Sequence, residues 1–154
     1  MSQPEPLRSP TLDPGKFKHP ARTKDGAPRA DVAFGGLRTL WFNTGTLCNV
    51  RCGNCYIDSS PRNDRLSYLT RRDLRQYLDE LADSDWQAEE IGFTGGEPFM
   101  NPDMLGHLRD CLARGYRVLV LTNAMRPLLN GKAGLAELKA EFGAKIVLRV
   151  SIDH

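Results

Sequence analysis

The chain has 154 residues, of which 40% are hydrophobic, 26% charged and 8% aromatic, proportions that fit one globular domain of ordinary size. No apolar run approaches the length needed to cross a bilayer and the N-terminus lacks the apolar core of a signal peptide, so a cytoplasmic location with no membrane partner is expected. The formal net charge of +2 arises in residues 1–36, where six Lys or Arg face four acids; the remainder holds 15 of each sign, offers no field for a phosphate backbone, and argues against nucleic acid as a partner.

Residues 1–36 also contain six of the ten prolines and almost no apolar periodicity, so they read as a disordered Pro-rich tail ahead of a folded portion at 37–154. From Leu37 the pattern changes. Residues 37–43 (LRTLWFN) read as a first strand. Thr70, with Asp73 three positions on, predicts the N-cap of a helix whose apolar face is Leu74, Tyr77, Leu78 and Leu81. Residues 90–94 (EIGFT) form a second strand, and Asn101 and Pro102 start a second helix with Leu105, Leu108, Cys111 and Leu112 on one face and Gly115 as its stop. His107 falls off that face and is expected to meet solvent. Residues 117–122 (RVLVLT) make a third strand, a third helix runs to about Phe142 where Gly143 ends it, and residues 145–151 (KIVLRVS) make a fourth strand.

Strand and helix alternate with no hairpin signal, which predicts an α/β fold with a parallel sheet. Sites in such folds lie at the C-terminal ends of the strands. Four polar segments should therefore converge: the cysteine-rich loop after the first strand, Thr94-Gly95-Gly96-Glu97-Pro98 after the second, Thr122-Asn123 after the third, and Ser151-Ile152-Asp153 after the fourth.

Four cysteines are too few for a secreted disulfide scaffold, and three of them, Cys48, Cys52 and Cys55, crowd into one C-x3-C-x2-C loop. Thiolates are soft donors suited to zinc or to iron-sulfur clusters. A closed zinc site needs a fourth ligand, for which Cys111, His107, His19 and His154 are the candidates; Cys111, on an apolar helix face, reads better as a core residue. A four-iron cluster held by three cysteines, with one iron left open, accounts for the trio more simply.

The C-x3-C-x2-C loop after the first strand and the Gly95-Gly96-Glu97-Pro98 segment after the second resemble the two signature motifs of the radical S-adenosylmethionine (radical SAM) superfamily. The wording CNVRCGNCY, TGGEP and VSID is similar to the branch containing molybdenum-cofactor cyclases and peptide-modifying enzymes. The resemblance implies a partial (β/α) barrel of which this chain holds the first four strands, a [4Fe-4S] cluster on Cys48, Cys52 and Cys55, and S-adenosylmethionine chelated to the fourth iron. It implies that Gly95 and Gly96 let backbone approach the methionine moiety, with Pro98 in the same motif, and that Glu97 accepts a hydrogen bond from its amino group. Ser151 would contact the ribose or carboxylate, and Asn123 and Asp153 would also bind the cofactor; Tyr56, Arg126 and Arg149 are further residues within reach.

The implied activity is that of an oxidoreductase-type radical SAM enzyme. One electron, from a donor such as a flavodoxin or ferredoxin, cleaves S-adenosylmethionine to a 5′-deoxyadenosyl radical that removes a hydrogen from an unidentified substrate. The sequence departs from the family at Asn54, where an aromatic residue near the adenine is usual, and at His154, beyond which the family barrel continues; the chain thus reads as the N-terminal portion of such a core. The alternatives are a non-catalytic iron-sulfur or zinc module and an inactive truncated remnant.

Overall fold

The four apolar runs become four strands: β1 (Thr39–Asn43), β2 (Glu90–Thr94), β3 (Arg117–Thr122) and β4 (Ile146–Val150). The structure is a computed structural model that describes residues 18–152; the expectations for residues 1–17, Asp153 and His154 lie outside the described residues. All neighbouring strands pair in parallel and sheet order follows chain order, β1-β2-β3-β4. Parallel neighbours need long crossovers. Helices supply them: α1 (Arg71–Asp83) between β1 and β2, α2 (Met104–Ala113) between β2 and β3, and α3 (Arg126–Asn130) with α4 (Lys132–Phe142) between β3 and β4. The α/β reading of the sequence is thereby met.

The chain divides into two units, Met1–Gly35 and Gly36–His154. Within the first, the described part is a local turn in which the Arg22 guanidinium donates to the Gly26 carbonyl at 2.8 Å. In the second, Phe42, Ile91, Phe93, Val118 and Val120 of the sheet meet Leu74, Leu78, Leu108, Leu112 and Leu138 of the helices in one core. Each such side chain contributes about 1.5–3 kcal/mol relative to exposure, so this core anchors the strands whose ends carry the polar loops. α1 begins as the sequence predicts: Thr70 Oγ1 accepts from Asp73 N at 3.2 Å and donates to its carboxylate at 2.7 Å. Asp110 of α2 then takes paired hydrogen bonds from Arg71, both at 2.7 Å, which lock α1 to α2.

Three local expectations change. The second helix begins at Met104, after a 3-10 turn at Pro98–Met100, because the Asn101 amide donates to the carbonyls of Thr44 (3.2 Å) and Leu69 (2.9 Å) and ties two loops together. The third helical segment breaks at Gly131, whose N–H turns back to Leu128 O at 2.9 Å. His107 is fully buried rather than solvent-facing. It stands three residues after Met104 and four before Cys111, hence on the buried stripe of α2; Nδ1 donates to Asp103 O at 2.8 Å, while Nε2 is buried with no hydrogen-bond partner among the described residues.

Burial, partly offset by the charges of Asp103 and Asp110, lowers the His107 pKa from 6.5 to about 4. The unfolded chain therefore binds the extra proton between these values, and stability falls as pH drops from about 6.5 to about 4, by roughly 3 kcal/mol in the limit. Urea unfolding across that range should show this slope in the wild type and a flatter one in His107→Leu; equal slopes would assign the acid sensitivity to other groups.

Candidate cofactor site

The site begins where the β1-β2 ladder continues past the strand ends. Thr44 N donates to Thr94 O at 2.8 Å, Gly96 N to Gly45 O at 2.9 Å and Glu97 N to Leu47 O at 3.0 Å, so the start of the cysteine loop lies directly along the Gly-Gly segment. That approach is too close for side chains. A Cβ at Gly96 would stand 2.1 Å from Leu47 O, and one at Gly95, whose φ is +138°, 2.6 Å from Gly45 O. The two glycines thus have a structural duty within the chain besides any contact with a ligand.

The cysteine loop is closed by its own backbone. Cys48 N donates to Ser60 O at 3.1 Å, Cys55 N to Cys52 O at 3.3 Å, and Asp58 N to Cys55 O at 3.1 Å. Asp58 takes a positive φ of 54°, a conformation Asp tolerates better than most residues, and the reversal brings Ser59 N to 3.3 Å from Cys55 Sγ. Cys48 is buried, Cys52 and Cys55 are half-buried, and none of the three is in a disulfide among the described residues. Burial, with the nearby Glu97 charge, raises the Cys48 pKa against the opposing N–H groups of Val50 and Asn49. Burial also acts on Cys55, but N–H groups of Ser59, Ile57 and Asp58 together with the Ser59 side chain outweigh it and lower the pKa.

All three cysteines line one cavity of about 460 Å³ together with Gly95, Gly96, Asn123 and Ser151. Tyr56 lines it as well, its hydroxyl 3.3 Å from Thr94 Oγ1. The convergence expected of the strand ends is therefore present for all four loops among the described residues. Glu97 and Pro98 stand behind the cavity wall, and Arg126 and Arg149 are not part of the wall. The Glu97 carboxylate, 2% exposed, accepts from Thr122 Oγ1 at 2.7 Å, Asn123 N at 2.8 Å and Phe99 N at 3.1 Å, bridging the loops after β2 and β3. Asn123 in turn donates to Asn49 Oδ1 at 2.9 Å and lies 3.8 Å from Cys48 Sγ, while Ser151 N bonds to Thr122 O at 2.9 Å.

Thr122, Ser59 and Asn101 are structural participants that residue spacing did not single out. Thr122 lies in a segment the sequence marks as polar and Asn101 at its predicted helix start, but their partners Glu97, Thr44 and Leu69 lie on loops distant in sequence; Ser59 carries no pattern of its own. Cys111 and His107, two of the possible fourth zinc ligands, are sunk in the core away from the cavity, with burial pushing the Cys111 thiol up to about 12. His19 belongs to the N-terminal unit.

A parallel β/α sheet with three cysteines of one loop lining a cavity at its C-terminal rim is the class of protein that the fold and the site define. Residues 42–154 match the Radical SAM superfamily, and the chain belongs to that superfamily, whose members use a [4Fe-4S] cluster and S-adenosylmethionine. It is 33% identical to the antilisterial bacteriocin subtilosin biosynthesis protein AlbA of Bacillus subtilis, over 69% of this chain and 22% of that protein. It is 32% identical to 7-carboxy-7-deazaguanine synthase of Methanopyrus kandleri, over 66% of this chain and 43% of that protein. The crystal structure of Streptococcus suis SuiB bound to S-adenosylmethionine shares the fold, with a TM-score of 0.61 at 21% identity over 77% of this chain and 25% of SuiB. SuiB bound to precursor peptide SuiA gives a TM-score of 0.62 with the same coverage. The chain thus spans between about a fifth and two fifths of these relatives. Among the described residues no helix is long and apolar enough to cross a membrane.

Two substitutions test this geometry. Glu97→Ala strips the acceptor from one buried and two part-buried donors and should destabilise the fold by about 2–4 kcal/mol in urea unfolding; a loss below about 1 kcal/mol would mean that the bridge is dispensable. Gly96→Ala should push the two loops apart and lower cysteine-dependent metal uptake while leaving the far-ultraviolet circular dichroism nearly unchanged. Normal uptake would show that the loop tolerates the added carbon.

Proposed function

We propose that residues 37–154 are the cofactor-binding portion of a radical SAM enzyme, with residues 1–36 standing outside it. The observation that carries this reading is the gathering of Cys48, Cys52 and Cys55 with Gly95, Gly96, Asn123 and Ser151 around one cavity at the strand ends. The residues fit the superfamily's cluster: three soft donors line the same space, each from a different position of a loop held by backbone bonds, and the remaining cysteine of this unit is committed to the core.

In this reading Cys48, Cys52 and Cys55 each hold one iron, and S-adenosylmethionine occupies the remaining cavity. Held there, a [4Fe-4S] cluster with S-adenosylmethionine would supply one-electron reductive chemistry for removing a hydrogen from a substrate by way of a 5′-deoxyadenosyl radical. The chain's own residues orient and shield. Gly95 and Gly96 present bare backbone to the methionine moiety, and Ser151 and Asn123 supply polar contacts from the ends of β4 and β3. Glu97 acts through position: its carboxylate, behind the cavity wall, accepts three bonds that hold the loops after β2 and β3 in place beside the methionine moiety. Asp153, outside the described residues, remains a cofactor-binding candidate on the sequence alone. A small one-electron carrier such as a flavodoxin or ferredoxin serves as donor, and the precursor peptide bound to SuiB, with the bacteriocin biosynthesis in the name of AlbA beside it, supports a peptide as the substrate class.

The test is electron paramagnetic resonance of the anaerobically reconstituted and reduced chain. A four-iron signal that changes on adding S-adenosylmethionine supports the reading, and Cys52→Ala should lose that signal. A zinc-loaded chain that takes up no iron, or a full four-iron cluster retained in Cys52→Ala, would overturn the ligand assignment.

A further inference from the structure

We infer that Ser59 is a positioning residue for the cysteine-bound cluster, its buried hydroxyl donating a hydrogen bond to the Cys55 sulfur once that sulfur is a thiolate ligand. The inference rests on the reading above and deepens it. Ser59 is 3% exposed, it lines the same cavity as the cysteines, and its Oγ has no hydrogen-bond partner among the described residues. A buried hydroxyl left in that state costs about 1–3 kcal/mol, so the position calls for an acceptor.

The geometry says which acceptor. Ser59 N already donates to Cys55 Sγ at 3.3 Å, so the residue is seated beside that sulfur, and its Oγ is the buried group of this turn still without a partner among the described residues. The seat is rigid. Asp58 makes its left-handed turn under the grip of Asn63 Nδ2, which donates to Asp58 O at 2.8 Å, and Ser60 O holds Cys48 N at 3.1 Å on the other side. The other hydroxyl of the loop that lines the cavity, on Tyr56, is engaged with Thr94. A thiol sulfur is a weak acceptor and a thiolate a stronger, charge-assisted one, so the bond gains strength when Cys55 gives up its proton to bind metal.

Hydrogen bonds to cluster sulfurs favour the more negative, reduced state and thereby raise the reduction potential. The experiment is a redox titration of the reconstituted full chain, followed by electron paramagnetic resonance, for the wild type, Ser59→Ala, Ser59→Gly and Ser59→Thr. Both variants lacking the hydroxyl should show about a tenfold lower ratio of reduced to oxidised cluster at a fixed potential, equivalent to a shift of about 59 mV to more negative values, while Ser59→Thr stays at the wild-type value. Either hydroxyl-free variant suffices if the other fails to hold a cluster. A wild-type cluster whose potential is unchanged in them overturns this inference alone, whereas a wild-type chain that assembles no cluster overturns it together with the proposed function.

Discussion

The backbone pairing of residues 44–47 with residues 94–97 is the constraint on which the site depends. A cysteine-bearing loop has no core of its own to fix it. Here its first residues are held as an extension of the sheet, through three bonds of 2.8–3.0 Å, and the sheet is fixed by the buried leucines and valines beneath it. Each bond is worth only about 1 kcal/mol net, but together they set the register of the loop to the second strand. The register requires that two successive residues have no Cβ, which gives the Gly95-Gly96 pair a reason within the chain as well as a reason at the cofactor.

From that seam the arrangement spreads sideways through one buried carboxylate. Glu97 is carried by the paired loop and accepts from the end of β3, and the end of β3 in turn receives Ser151 N from the end of β4. All four strand ends are thus joined by a continuous set of polar bonds at the rim, while the apolar contacts that stabilise the fold lie below. Satisfied polar groups at this level hold the cavity wall without filling the cavity.

The three cysteines do not share one environment. Cys48 sits in the wall beside a carboxylate, where burial and negative charge disfavour its thiolate, and Cys55 sits in a turn whose N–H groups favour it. A metal bound by such a set would release protons, and its own charge would reverse the penalty at Cys48.

Much of this was legible in the residues alone, because the signals are local. β2 and β3 appear over the very residues whose apolar runs mark them, Thr70 and Asp73 make the cap their spacing implies, Gly143 ends α4, and the cysteine spacing and Gly-Gly-Glu-Pro segment point to one superfamily. What the sequence could not show were partnerships between loops far apart in the chain. Glu97 reads as a ligand-facing acid until Thr122 and Asn123 are seen to occupy its oxygens, Asn101 reads as a helix start until Thr44 and Leu69 claim its amide, and His107 reads as polar surface until the α2 stripe carries it into the core. Periodicity and spacing act over a few residues and so determined the elements and the motif. The hydrogen bonds of buried polar groups are satisfied by whatever the fold brings alongside, and only the tertiary structure decided those partners.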